Sequence, residues 1–193
     1  MKRGQSFARW SKRVGVAFAS ATGLLLVYLA GLQATGNFHP VVQGEVYRSA
    51  QPSREQLSRY VRQHGIRTVI NLRGANVGDD WYDDEISESR RLGVSHVDFR
   101  MSASRELSQE QAAALIRILA EADKPVLIHC KSGSDRTGLA SALYMSSVAH
   151  RGEEAAEAQI SLAFGHIPLA ISPPYAMDRT FEALEPWLGF GES

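Results

Sequence analysis

The chain contains a single cysteine, Cys130, so no intrachain disulfide can form. It carries no net charge, with 21 basic residues against 21 acidic ones. Acidic residues are missing altogether from the first 36 positions, which hold Lys2, Arg3, Arg9, Lys12 and Arg13. The rest holds 16 basic and 21 acidic side chains. A mildly acidic body lacks the basic stripe that a nucleic-acid surface needs, so no nucleic-acid partner is expected. There is no internal repeat and no low-complexity tract, which excludes a solenoid. A length of 193 residues suits one domain plus an extension.

Residues 14–34 contain no charge at all. A helix of that length matches a hydrocarbon layer of about 30 Å. Five basic residues precede it, and Arg48 is the only Lys or Arg in the next 15. That bias predicts a single-pass anchor with the N-terminus in the cytoplasm and the following domain on the extracytoplasmic side. A cleavable signal peptide is the competing reading. Its small-x-small site is not clean, because Leu32 precedes Ala34 and Tyr28 precedes Ala30 at the position that matters. The expected organisation is a basic tail over 1–13, an anchor or signal segment over 14–34, a linker over 35–43 and a folded domain over 44–193.

Within that domain strand-like and helix-like patterns alternate. Short apolar runs at 46–49, 68–72, 94–99 and 125–129 read as strands. Ser53 caps a predicted helix that Gly65 stops, and Ser108 with Gln111 three residues later fits a capping box. Further helices are predicted at 81–91, 137–149, 153–164 and 174–185. The alternation implies an α/β fold with a mainly parallel central sheet flanked by helices.

The chemistry concentrates in His129-Cys130-Lys131-Ser132-Gly133-Ser134-Asp135-Arg136-Thr137-Gly138. A strand, a tight loop and a helix N-terminus in that order make an anion cradle of backbone N–H groups. The amides of Lys131, Ser132, Gly133, Ser134, Asp135 and Arg136 suffice to ring a phosphate. Gly133 permits the turn, and the planar fork of Arg136 binds two oxygens at once. The dipoles that attract phosphate also stabilise a thiolate at Cys130, which can attack phosphorus. The Thr137 hydroxyl can donate to the sulfur as the intermediate breaks down. His129 orders the loop. No metal or other cofactor is expected, because the loop and Arg136 already neutralise the anion.

This Cys-x5-Arg-Thr pattern, preceded by His, resembles the protein tyrosine phosphatase superfamily. The domain size fits its compact, atypical dual-specificity branch, of bacterial type. Val46-Tyr47-Arg48-Ser49-Ala50-Gln51-Pro52 looks like an opening motif of that branch, and Thr68-Val69-Ile70-Asn71-Leu72-Arg73 falls at one of its core strands. The resemblance implies metal-independent phosphomonoester hydrolysis through a cysteinyl-phosphate. It also implies an aspartate upstream of the cysteine that protonates the leaving group. Asp98, 32 residues before Cys130, has the matching spacing, with Glu106 and Asp135 as rivals. The expected partner is a phosphorylated protein or a phospholipid headgroup, alongside the membrane through the N-terminal helix. Arg73, Arg100 and Arg105 are candidates for the rim. A phosphate-binding interaction module with little turnover is the alternative.

Overall fold

The computed structural model describes residues 2–191. The chain divides into two compact units, Met1–Thr35 and Gly36–Ser193. The first is one helix, α1 (Lys2–Ala34). Its stretch Arg13–Ala34, with a mean hydropathy of 1.9, is long and apolar enough to cross a membrane. The side chains of Lys2, Arg3, Arg9 and Lys12, on which the orientation bias rests, lie outside the described residues.

The second unit is a five-stranded sheet in the order β1-β2-β5-β3-β4. The strands are β1 (His39–Val42), β2 (Val46–Ser49), β3 (Thr68–Asn71), β4 (Ser95–Asp98) and β5 (Val126–His129). β2, β5, β3 and β4 run parallel, and β1 pairs antiparallel with β2. Every residue of β2, β3 and β5 is buried, as expected of parallel strands covered on both faces. Successive side chains alternate between those faces. Val46, Ile70, Val126 and Ile128 pack with α4 (Gln109–Glu121), α5 (Asp135–Ser147) and α7 (Ala176–Leu188). Tyr47, Val69 and Leu127 pack on the opposite side against Leu57 and Tyr60 of α2 (Arg54–His64). α3 (Asp80–Leu92) lies beside α2.

Both capping signals are realised. Ser53 and Ser108 each form a reciprocal capping box, with Gln56 and Gln111, and Gly65 ends α2 in the left-handed conformation. Three expectations are corrected. Residues 39–42 of the supposed linker form the edge strand β1; Pro40, which has no N–H to donate, is tolerated because an edge strand is paired on one side only. The predicted helix over 153–164 is broken: α6 (Glu153–Glu157) ends early, Ser161 is extended, and only a 3-10 turn, Leu162–Phe164, follows. The reason is long-range, since the Gln159 carbonyl and side chain both turn to a buried arginine from β2. Helix α5 starts two residues earlier than expected, so Asp135 and Arg136 stand in its first turn.

Candidate active site

β5 ends at His129, and the chain turns through residues 130–134 into α5. Four successive carbonyls of this turn are held from outside it. The Gln51 backbone N–H donates to the Lys131 carbonyl (3.2 Å). Asn37 Nδ2 donates to Ser132 (3.0 Å). Arg48 Nη2 donates to Gly133 (3.0 Å) and Ser134 (3.2 Å). In a planar trans peptide each N–H points away from the carbonyl before it. Drawing these carbonyls outward therefore turns the N–H groups of residues 132–135 to the opposite side. The Gly133 N–H marks that side by donating to Cys130 Sγ (3.3 Å).

Gly133 has no substitute here. Its φ is +74°, and an added Cβ would stand 2.6 Å from the Ala50 nitrogen. Arg48 is completely buried. Its second terminal nitrogen donates to the Gln159 carbonyl (2.8 Å) and Oε1 (3.1 Å), and its guanidinium lies 3.8 Å from the Phe164 ring centroid. Burial pulls the Arg48 pKa down, and negative charge at Cys130 and Asp135 opposes that shift. One buried cation thus ties the loop to the segment after α6.

Cys130 is 1% exposed, so it can react only with a group small enough to enter the turn. Arg136 reaches Met101 through Nη1 (3.3 Å), while its Nε is buried with no partner among the described residues. The buried Thr137 hydroxyl lacks one in the same sense. Buried polar groups are normally satisfied, so these two fit a ligand that brings acceptors. Lys131 is exposed, and Ser132 and Ser134 join hydroxyls at 2.7 Å. Arg136 opens into a cleft of about 880 Å³, walled by the loop over residues 99–107 with Arg73, Gln111, Pro173 and Pro174; Cys130 is not part of the wall.

His129 stands at the foot of the loop, the last residue of β5. Its Nε2 meets Glu85 Oε1 (3.1 Å), which also meets His96 Nε2 (2.8 Å), while Gln51 donates to Glu85 Oε2 (2.6 Å). Burial raises the Glu85 pKa, but the charges and hydrogen bonds of His129 and His96 outweigh it and hold it at about 2. A carboxylate depressed from 4.5 to about 2 stabilises the fold fully above pH 4.5 and loses that contribution as pH falls towards 2. Thermal melting between pH 6 and pH 2 is expected to show the wild type's advantage over Glu85→Gln shrinking across this window. A pH-independent difference would contradict the assignment.

The three candidate acids are separated. Asp98 stands two strands from β5, in register with Asn71 and through it His129. Its oxygens accept from Asn71 Nδ2 (2.8 Å) and Tyr82 OH (2.6 Å), and burial together with that bond pushes the Tyr82 pKa up to about 12. Asp135 binds His166 Nδ1 (2.8 Å), whose Nε2 meets Asp178 Oδ2 (2.8 Å). Burial lowers the His166 pKa, and the two carboxylates override it to leave the pKa raised. Glu106 lines the cleft with Arg136 and accepts from Arg179 Nε (2.5 Å). Sequence reasoning missed Arg48, Asn37, Glu85 and Gln159. Only Arg48 had a signal, its place in the opening motif.

The profile of one family, described as "DSP-PTPase phosphatase fused to NAD+ Kinase", matches residues 33–168. The inositol diphosphatase SIW14 of Saccharomyces cerevisiae is 29% identical over 107 residues, 53% of this chain and 36% of that protein. The match thus spans about a third of that relative's length. TpbA of P. aeruginosa has a similar structure, with TM-score 0.62 and 22% identity over 78% of this chain and 86% of its own; a variant of it is crystallised in complex with pTyr. PTPMT1 superposes with TM-score 0.59 and 17% identity, over 79% and 98% of the two chains, and a further structure of it holds PI(5)P. At these identities the structural likeness shows the fold.

Proposed function

The chain belongs to the family described as DSP-PTPase phosphatase fused to NAD+ kinase, and from that premise we propose that it hydrolyses phosphomonoesters through a cysteinyl-phosphate on Cys130. The observation that carries this reading is the outward anchoring of four loop carbonyls around a buried thiol. A ring of preorganised N–H donors stabilises a trigonal bipyramidal phosphoryl group without reorganising during reaction. The Cys130 sulfur attacks phosphorus, an S–P bond forms as the P–O bond breaks, and the leaving oxygen takes a proton. Water then attacks phosphorus, gives up its proton, and releases phosphate and the thiolate. Arg136 binds two equatorial oxygens, and Thr137 donates to the departing sulfur.

We assign the proton transfers to Glu106 rather than Asp98. Glu106 shares the cleft wall with Arg136 and meets Arg179 through one oxygen, Oε1, whereas both Asp98 oxygens are taken up by Asn71 and Tyr82. The test compares an alkyl phosphate with para-nitrophenyl phosphate, using full-length protein in detergent with EDTA. General acid catalysis contributes roughly 10²–10⁴-fold, and most where the leaving group is poor. Glu106→Gln is expected to lower kcat on the alkyl ester about a hundredfold and much less on the nitrophenyl ester. A larger selective loss in Asp98→Asn would return the role to Asp98. Turnover abolished by EDTA would argue against the metal-independent mechanism.

A further inference from the structure

We propose that Arg73 forms a second anion seat beside Arg136, and that the cleft selects substrates carrying two neighbouring phosphate groups on a polar framework. This rests on the phosphatase reading above and names its substrate class.

The placement follows from backbone pairing. β3 runs into Leu72 and Arg73, and the Arg73 N–H donates to Asn71 Oδ1 (2.9 Å). The Leu72 carbonyl accepts from the Met101 N–H (3.3 Å), and the Asn71 carbonyl from Phe99 (3.0 Å). The segment after β3 therefore runs alongside the segment after β4. Gly74 makes this approach possible, since a Cβ there would lie 2.5 Å from that of Arg100. Arg136 donates to the Met101 carbonyl of the same segment. Arg73 and Arg136 are thereby brought to one cleft wall from the C-terminal ends of the adjacent parallel strands β3 and β5.

Arg73 is held, not merely present. Its guanidinium lies 3.4 Å from the Trp81 ring centroid, and Nη1 donates to Gln51 Oε1 (3.0 Å). The same Gln51 donates to Glu85, the carboxylate under His129. A stacked guanidinium fixed at one nitrogen still presents several donors in a rigid fork. Its pKa is lowered, first by burial and then by the charge of Arg136. The two cations therefore sense each other.

Charge in the wall supports a substrate with more than one phosphate. Among the described residues of the wall, Arg73, Arg100, Arg105 and Arg136 face one acid, Glu106, which is paired with Arg179. Each phosphate group brings a charge of roughly −1.5 to −2. A single one seated in the Cys130 loop engages Arg136 and leaves Arg73 beside it without a counter-charge from the substrate. A second phosphate removes that repulsion and takes the guanidinium's fork. Among the described residues Phe99 is the only aromatic one in the wall, which offers little to sandwich a phosphotyrosine ring.

The shared chemistry is a bis-phosphorylated polyol, supplied either as a free inositol phosphate or as a lipid headgroup. The experiment measures kcat/KM for full-length protein in detergent on four substrates. They are para-nitrophenyl phosphate, a phosphotyrosine peptide, a soluble inositol bisphosphate and a phosphoinositide bisphosphate in mixed micelles. At least one bis-phosphorylated compound is expected to exceed both monophosphates by about tenfold or more. Preference for the soluble or the micellar form identifies the source. Arg73→Met is expected to cut the bisphosphate-to-monophosphate ratio about tenfold or more, with Arg73→Lys in between. Equal losses on both classes, or preference for the phosphotyrosine peptide, would overturn the proposal. The wild-type ratio decides even if a variant fails to fold. Turnover of monophosphates without any preference sinks the second seat alone; no turnover of any compound removes the phosphatase reading as well.

Discussion

Cys130→Ser is expected to lower kcat by a factor on the order of 10⁴ or more, the scale seen when a covalent nucleophile is removed. A serine hydroxyl at the same place is a weak nucleophile without an adjacent base. No such base is placed for it: the ring nitrogens of the neighbouring His129 face Glu85 Oε1 (3.1 Å) and the Cys130 carbonyl (3.4 Å). The loop itself does not depend on the sulfur, because its carbonyls are anchored by Gln51, Asn37 and Arg48. The variant is therefore expected to fold, to bind substrate, and to release none of its phosphate. Acid quenching of the wild type during turnover is expected to leave one phosphoryl group on Cys130, and none in the variant. Residual turnover within tenfold of wild type would show that sulfur is not the attacking atom. If the wild type binds phosphorylated ligands tightly but forms no phosphocysteine, the interaction-module reading takes over.

The second large effect is structural and lies beneath the site. Arg48→Met is close in length but carries no donors. It strands the carbonyls of Gly133, Ser134 and Gln159 in a fully buried place. Stranding a buried hydrogen-bonding group costs about 1–3 kcal/mol, and breaking a buried charged network about 3–5 kcal/mol in all. With a urea m-value of about 1–3 kcal/mol/M, the denaturation midpoint is expected to fall by roughly 2 M. Freed carbonyls also let the loop amides rotate away from the anion. A misplacement of about 1 Å costs on the order of a hundredfold in rate, so kcat/KM on a simple monophosphate is expected to fall by that much. Arg48→Lys restores charge but cannot reach Gln159 and the loop together. An unchanged midpoint and rate in Arg48→Met would mean that the loop holds its shape without this anchor.

How far these features can be read from the chain depends on how far apart the partners lie. The strand, tight turn and helix start over the run from His129 to Gly138 are legible because they are neighbours in the chain. The capping boxes at Ser53 and Ser108 are legible for the same reason. Arg48 sits in a motif that gives its identity but not its role, since Gln159 is 111 residues away and Gly133 is 85 away. The broken helix after Glu157 is the other half of that contact. Its Ala/Glu-rich start favours continued helix, and only the demand of a buried guanidinium for the Gln159 carbonyl turns the chain aside. Glu85 gave no local signal, because an acid among the acids of α3 looks solvated until His96 and His129 are folded over it. The spacing of Asp98 was legible, yet spacing cannot report that Tyr82 and Asn71 occupy its two oxygens.

The loop and the cleft are built from different stretches of chain. The carbonyl anchors come from residues 37, 48 and 51, whereas the wall comes mainly from residues 99–107 with Arg73. The anchored turn is thereby separated from most of the wall; the exceptions are Arg136 and Glu106, which line the wall and serve the proposed chemistry. On the proposed reading, substitutions in the wall other than at Glu106 and Arg136 can change which phosphate ester is preferred without touching the anchors. Substitutions among the anchors damage every substrate alike. Such modularity would make selectivity evolvable at low risk, and it predisposes the scaffold to diversify by wall changes while the anchored turn stays fixed.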